Sequence, residues 1–291
     1  MLVLSCVAVC NGTVLQGQSF AGTYTVNDTV QTIDGCSFSG SGSGLIINAT
    51  ELAFAAAADG SAVIVSVVGS NFTNEAYVQI VGTATNAFLL VLRSCLFNNA
   101  YVWASNLTLD GPDVTIALSQ NVVQITAAYQ GLFMYTYSTT WDANGYFAYF
   151  DGLHMLNGAR LLVDGTVADV NITTSGASVA GLVRFYPSLL MSNGSMFSIS
   201  NTQFTGYAPY ALFFVSFVAM TAALSQISTF TFEGNTVSID GASGTAVVVL
   251  VGSSCTVSSG SIFSLLGNTF TYTGSSFDQY NAMGAHRRIT T

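Results

Sequence analysis

The chain contains no lysine, and its only cations are Arg93, Arg160, Arg184, Arg287 and Arg288, set against fourteen carboxylates for a net charge of −9. A phosphate backbone is held mainly by clustered Lys and Arg, so nucleic-acid binding is excluded as an expectation. The single basic cluster, Arg287 and Arg288 beside His286, lies at the far end and reads as a solvated tail. Charged residues make up only 7% of the chain, where an average globular protein has about 25%. Something other than charge must keep the surface wet. Proline numbers only three. The cysteines Cys6, Cys10, Cys36, Cys95 and Cys255 contain no Cys-x-x-Cys pair, which argues against a zinc site or a disulfide-dense scaffold. Cys36 and Cys95, each two residues before a Phe, are expected as buried free thiols.

Apolar residues are plentiful: they form 51% of the 291 residues, with Val, Ile, Leu, Phe and Tyr prominent, a set that suits pleated strands better than helices. Runs such as Ala62–Val68, Ala87–Leu92 and Ala246–Val251 are almost wholly apolar, with Ser66 the one polar residue among them, as suits strands buried on both faces. Others alternate, as in Met196–Ser200 and Ser228–Phe232. Seven Asn-x-Ser/Thr sequons occur, at Asn11, Asn27, Asn48, Asn71, Asn106, Asn171 and Asn193, and glycans there are surface-bound and solubilising. With so little charge, the set points to a secretory route.

Two phrases recur. One recurs loosely, a small or polar residue, then Phe, then a polar residue and an Asn or Gly turn, at Cys36–Gly40, Ser70–Asn74, Cys95–Asn99, Thr202–Gly206, Thr231–Gly234 and Asn268–Tyr272. Its phenylalanines are spaced by 34, 25, 107, 28 and 38 residues, and the long gap has room for degenerate copies. The other is Asp-Gly after an apolar residue, at Asp34, Asp151, Asp164 and Asp240, with variants at Asp59 and Asp110. Asp-Gly tolerates the left-handed backbone of tight turns, so all six pairs are expected as corners between strands. Short strands cornered in this way predict an all-β chain, a right-handed parallel β-helix of pectin-lyase-like type over residues 13–275. The alternative is a tandem β-sandwich.

The recurring Phe phrase, corners such as Leu161–Gly165, the scarcity of charge and the scattered sequons resemble the dispersed-gene-family surface proteins of trypanosomatids and their relatives over roughly residues 30–275. The resemblance implies a fragment or short paralogue of a large surface protein whose β-helical ectodomain serves adhesion. This chain lacks that length and a clear C-terminal anchor.

Many β-helices act on polysaccharides, so their chemistry is the first to look for. Uronate hydrolysis needs paired carboxylates with a cationic clamp, and lyase action needs calcium-binding carboxylates with a basic residue. The sequence has no Asp-Asp pair and no Lys, and nothing in it calls for a metal or a cofactor. The nearest approach is Asp151, His154 and Arg160, with Asp164 and Asp169 beyond. A turn Asp and two surface residues are the plainer reading of that set. No Gly-x-Ser-x-Gly elbow is present. The densest aromatic cluster spans 129–150, and Tyr135, Tyr137, Trp141, Tyr146 and Tyr149 are its candidates for a sugar-stacking or protein-binding platform. The plainer reading is an aromatic stack inside the solenoid.

The expectation is therefore a non-catalytic cell-surface or secreted glycoprotein with an adhesion or coat role, its partner a glycan or a host or cell-surface protein. The alternatives are a polysaccharide lyase or hydrolase, and a membrane protein spanning near 210–231, where an uncharged stretch falls short of the roughly 20 residues a spanning helix needs. Residues 1–12 read as a degenerate signal peptide or a cut edge, and 276–291 as a polar disordered tail that leaves the stack uncapped. An uncapped stack predicts end-to-end self-association.

Overall fold

The computed structural model describes residues 12–126, 143–173, 178–207, 211–217, 221–241, 245–251, 255–257 and 260–274. Within them every strand pairing is parallel, and each strand pairs with the equivalent strand one coil later. Three sheets result. The first runs from Thr13–Gln16 to Ile262–Leu266, the second from Ser19–Phe20 to Thr269–Gly274, and the third from Thr23–Thr25 to Thr245–Val251. This is the expected parallel β-helix, right-handed as parallel crossover connections require. A β-sandwich, whose strands run antiparallel, is excluded.

The corner between the first and second sheets explains the Phe phrase and two of the six Asp-Gly pairs. Gly17, Gly35, Gly69, Ser94, Gln120, Gly165, Asn201, Gly234 and Gly267 all sit there with φ between 50° and 63°. The small or polar residue follows and points inward, and the Phe position comes two residues later. Only Asp34-Gly35 and Asp164-Gly165 are such corners. Gly60 ends a helix, Gly111 sits in a turn, Gly152 bends a strand of the third sheet, and Asp240-Gly241 ends a strand of the second. The 107-residue gap holds the degenerate copies at Val123 and Ala168. Phe232 is off the repeat, since it belongs to the first sheet and the true equivalent is Val237.

Inward residues stack in columns about 4.8 Å apart, the spacing of paired strands. Phe20, Phe38, Phe72 and Phe97 lie nearly parallel with centroids 4.8, 4.9 and 4.9 Å apart. Where Val123 and Ala168 interrupt this column, Phe147 from the third sheet turns its edge to Phe97 at 5.0 Å. Higher up, Phe197, Phe230 and Phe263 form a second stack at 4.5 and 5.2 Å. Each such pair contributes about 0.5–1.5 kcal/mol beyond its buried area.

The inward corner residues form a polar ladder beside the aromatic one. Asn121 Oδ1 accepts from the Cys95 N–H at 3.0 Å while its Nδ2 donates to the Leu92 carbonyl at 3.1 Å. Asn235 repeats the pattern with the Thr202 N–H and the Ile199 carbonyl, both at 2.9 Å. These amides satisfy corner groups that are closed off from water, which explains polar side chains in an apolar core. Cys36 and Cys95 occupy the same row as buried free thiols.

One element goes beyond the strand-only expectation, the helix Ala49–Asp59 between the third and first sheets. Six of its eleven residues are alanine, the strongest helix former. Asn48 caps its start by accepting from the Glu51 N–H, and left-handed Gly60 closes its end on the Ala56 carbonyl. The apolar stretch near 210–231 instead forms the strands Ala211–Phe217, Thr221–Leu224 and the start of Thr229–Glu233. No helix among the described residues is long and apolar enough to cross a membrane. Residues 1–11 and 275–291 lie outside the described residues, and with them both end assignments.

Candidate binding surface

The third sheet differs from the other two because its strands are long and bent. Gly82, Asn106 and Gly152 take φ of 91°, 48° and 72° at one level of the sheet, and the pairing register shifts there between Ser105 and Thr108 and between Asp151 and Leu153. Such bulges bend a strand and re-aim its side chains. At Gly82 the bend is also a close approach: a Cβ there would overlap Thr50 Oγ1 in the helix, the same oxygen that accepts the Thr83 N–H at 2.8 Å.

Just before the bend the outer face carries a cation among rings. Tyr149 stands in register with Trp103 on one side and Arg184 on the other, and Asp151 with Ser105 and Tyr186. By strand alternation these side chains face away from Phe150 and Phe185, which stack in the core at 5.3 Å. The Arg184 guanidinium lies 5.4 Å from the Tyr146 ring and 5.8 Å from those of Tyr149 and Tyr186. Each such contact is worth about 0.5–2 kcal/mol, more as water is removed. Tyr146 is only 1% exposed and Tyr149 7%, while Trp103, Arg184 and Tyr186 are half-buried.

Burial sets the electrostatics. It drives the Tyr149 phenol far above the ordinary tyrosine range, with Arg184 pulling the other way, and it raises the Asp151 carboxyl. Tyr101, stacked on Tyr77 with centroids 6.0 Å apart, is raised by the same cause. Trp103, Arg184 and Tyr186 are the members of this group that reach solvent, and an indole, a guanidinium and a phenol can stack on a sugar ring and hydrogen-bond to its hydroxyls.

Of the five aromatic candidates, Tyr146 and Tyr149 lie buried beneath this surface against Arg184, and Tyr135, Tyr137 and Trp141 lie outside the described residues. The expectation of buried aromatics holds for Phe147 and Phe150 in the apolar core and for Tyr146 and Tyr149, which are buried outside that apolar cluster with Arg184 5.4 and 5.8 Å from their rings. Sequence reading gave no role to Arg184, Trp103 or Tyr186. The alternation Arg184-Phe185-Tyr186, with an inward Phe between two outward polar aromatics or cations, is the signal that could have found them.

Asp151, His154 and Arg160 are not brought together. Asp151 and His154 lie on one strand of the third sheet, either side of the Gly152 bend, and His154 is in register with Thr108 and Leu190. Arg160 is exposed at the start of a first-sheet strand, between Thr115 and Met196. Asp164 accepts from Ser200 Oγ at 2.7 Å and Asn201 Nδ2 at 2.9 Å, and Asp169 from Thr205 Oγ1 at 3.4 Å. These carboxylates brace one coil against the next. Among the described residues no cluster of His, Cys, Asp or Glu has metal-binding geometry.

The sequons are distributed around the coil. Asn71 and Asn171 are exposed on the outer face of the second sheet, Asn106 in the third-sheet bulge, Asn27 in a loop, and Asn193 in a turn where its Nδ2 donates to Asn157 Oδ1 at 2.6 Å. Asn48 is half-buried as the helix cap, and Asn11 lies outside the described residues. Around Asn71 and Asn171 the second sheet shows Gln124, Gln203, Thr205, Thr236, Thr269 and Thr271 to solvent. Hydroxyls and amides therefore do the wetting that charge does elsewhere.

No protein-family model, no curated protein and no solved structure matches this chain.

Proposed function

We propose that the chain is a non-catalytic, cell-surface or secreted glycoprotein whose solenoid works as an adhesive or coat module, of the kind found in the dispersed surface families it resembles. The observation that carries this reading is the placement of five exposed sequon asparagines, Asn27, Asn71, Asn106, Asn171 and Asn193, at different places around a solenoid that has little charge. Glycans on several faces would sheathe such a rod. Within that sheath the Trp103, Arg184 and Tyr186 surface is the proposed contact for a glycan or a cell-surface protein. The likeness to pectin-lyase-like solenoids is one of shape. The scattered Asp151, His154 and Arg160 support no hydrolytic or lyase step.

The test is to express the chain in a eukaryotic secretory host, then measure binding to cells and to immobilised glycans beside activity on a panel of polysaccharides. Binding that drops at least tenfold in Arg184→Leu, with no turnover of any polysaccharide, is the expected result. Polysaccharide cleavage that falls in Asp151→Ala or His154→Ala would replace this reading with the enzyme.

A further inference from the structure

The outer face of the first sheet differs from the other two in carrying no sequon. Of the six described sequon asparagines, Asn71 and Asn171 lie on the second sheet, Asn48 and Asn106 on the third, and Asn27 and Asn193 in turns that lead into the first. Inward residues of the first sheet are buried, as Val63, Val65 and Val67 are, and the residues between them face out. The outward set includes Ile64, Val68, Leu89, Val91, Leu162 and Met196, all half-buried. Ala117, in register with Val91 and Leu162, joins them across the sheet. The seven strands from Val30–Asp34 to Thr229–Glu233 are each described together with the residues before and after them.

One strand shows how this face is charged. The outward residues of Arg160–Asp164 are Arg160, Leu162 and Asp164, a cation and a carboxylate about 13 Å apart with an aliphatic side chain midway. Arg160 is exposed, and the bonds that Asp164 accepts from Ser200 and Asn201 both fall on Oδ1. A strand with opposite charges at its two ends is complementary to itself when turned through half a revolution.

We infer that a second copy of this chain packs its first sheet against this face, about a two-fold axis that runs along the stack over Val91, Ala117 and Leu162. Such an axis lays each strand antiparallel across its own copy. Arg160 then meets Asp164 of the second copy on both sides of the axis, Ile64 meets Val68, and Val91 and Leu162 meet their own copies. The other charges on the seven strands fall opposite uncharged side chains, Asp34 opposite Val30, Arg93 opposite Leu89 and Glu233 opposite Thr229. No like charges are brought together, and the two ion pairs set the register. At about 4.8 Å between strands and about 3.3 Å per residue the seven strands make a face of roughly 550 Å², so the pair buries on the order of 1,100 Å², above the roughly 1,000 Å² that a specific contact needs. The inference uses where the sequons lie and not whether they are occupied, so it stands or falls apart from the adhesive reading.

Sedimentation equilibrium of the full chain, with its glycans and after their enzymatic removal, tests it. The mass is expected to rise with concentration to twice the monomer value and to stop there, because a two-fold contact closes on itself. Leu162→Glu is expected to stay monomeric. Arg160→Asp is expected to weaken the dimer at least tenfold and to recover it when mixed with Asp164→Arg, which restores opposite charges across the axis. Val122→Glu, at an exposed position on the second sheet, is expected to dimerise as the unaltered chain does. A monomer mass at every concentration with and without glycans, growth past the dimer, a Leu162→Glu chain that still dimerises, or equal weakening by Val122→Glu would each overturn the inference. Far-ultraviolet circular dichroism checks that every variant is folded. Where Leu162→Glu or Asp164→Arg is not, Arg160→Asp decides, since its side chain is exposed and an unchanged dimer affinity there refutes the contact.

Discussion

The second and third sheets are fed by the same coils yet solve different problems. Strands of the second sheet are short, each preceded by a left-handed corner residue, with an inward row that keeps to Phe where it can and an outer face on which exposed polar side chains outnumber Leu96, Val122 and Val167. Strands of the third sheet run to fourteen residues, carry bulges at Gly82, Asn106 and Gly152, and show aromatic rings and a guanidinium outward. The difference teaches that one corner sets the coil while the opposite side absorbs length. An insertion at the first-to-second corner would break the polar ladder and the Phe column together, whereas the third sheet accommodates a helix and two long strands without losing register in the other two. Variation, and with it a specific surface, collects where the repeat is least strict.

The largest effect should follow from cutting the strict side. Phe72→Ala removes a fully buried ring sandwiched at 4.9 Å between Phe38 and Phe97 and should cost about 3–5 kcal/mol in denaturant unfolding. A loss below about 1 kcal/mol would mean that the column is not what holds the coils together.

Alkaline titration compares the two sides directly. Burial pushes the Cys95 thiol, in the corner row, from 9.0 up to about 11. The unfolded thiol gives up its proton first, so the contribution is complete below about pH 9 and is lost as pH rises towards 11, about 2–3 kcal/mol in all. Tyr101 and Tyr149 on the third sheet are raised further, so their contribution falls only above about pH 10. Cys95→Ala should flatten the earlier decline and leave the later one, and unfolding curves that coincide for both proteins across pH 9–11 would contradict the assignment.

Glycine positions give the smallest effects and the finest discrimination. Gly82→Ala must put a Cβ against Thr50 at a left-handed site and should cost about 1–3 kcal/mol. Gly165→Asn should cost under about 0.5 kcal/mol, because Asn201 already occupies the equivalent corner one coil later with φ 50°. Equal melting shifts for the two would erase the distinction between a corner that needs only a backbone conformation and a bend that also needs space.

Much of the strict side was legible in the sequence for that reason. A corner that repeats its chemistry, as in Gly-Cys-x-Phe, Gly-Ser-x-Phe and Gly-Asn-x-Phe, leaves a phrase that can be read without a structure. The copies at Gln120-Asn121-Val122-Val123 and Gly165-Thr166-Val167-Ala168 were not legible, since a partner ring from the third sheet had taken over the packing that Phe supplies elsewhere. The helix at Ala49–Asp59 was hidden because its alanines suit a buried strand almost as well by hydropathy. The Arg184 surface was only half visible. Tyr146 and Tyr149 stand out by density along the chain, but Trp103, Arg184 and Tyr186 join them through pairing across coils more than thirty residues apart, which local pattern does not record.

The most direct measurement of the proposed glycan-sheathed surface role is site-specific occupancy on the chain secreted from a eukaryotic host, read by enzymatic glycan release in heavy-oxygen water and peptide mass spectrometry. The account predicts that Asn27, Asn71, Asn106, Asn171 and Asn193 each carry the isotopic Asn-to-Asp mark in a substantial fraction of molecules. A chain that is folded and secreted with all five asparagines unmodified would contradict it.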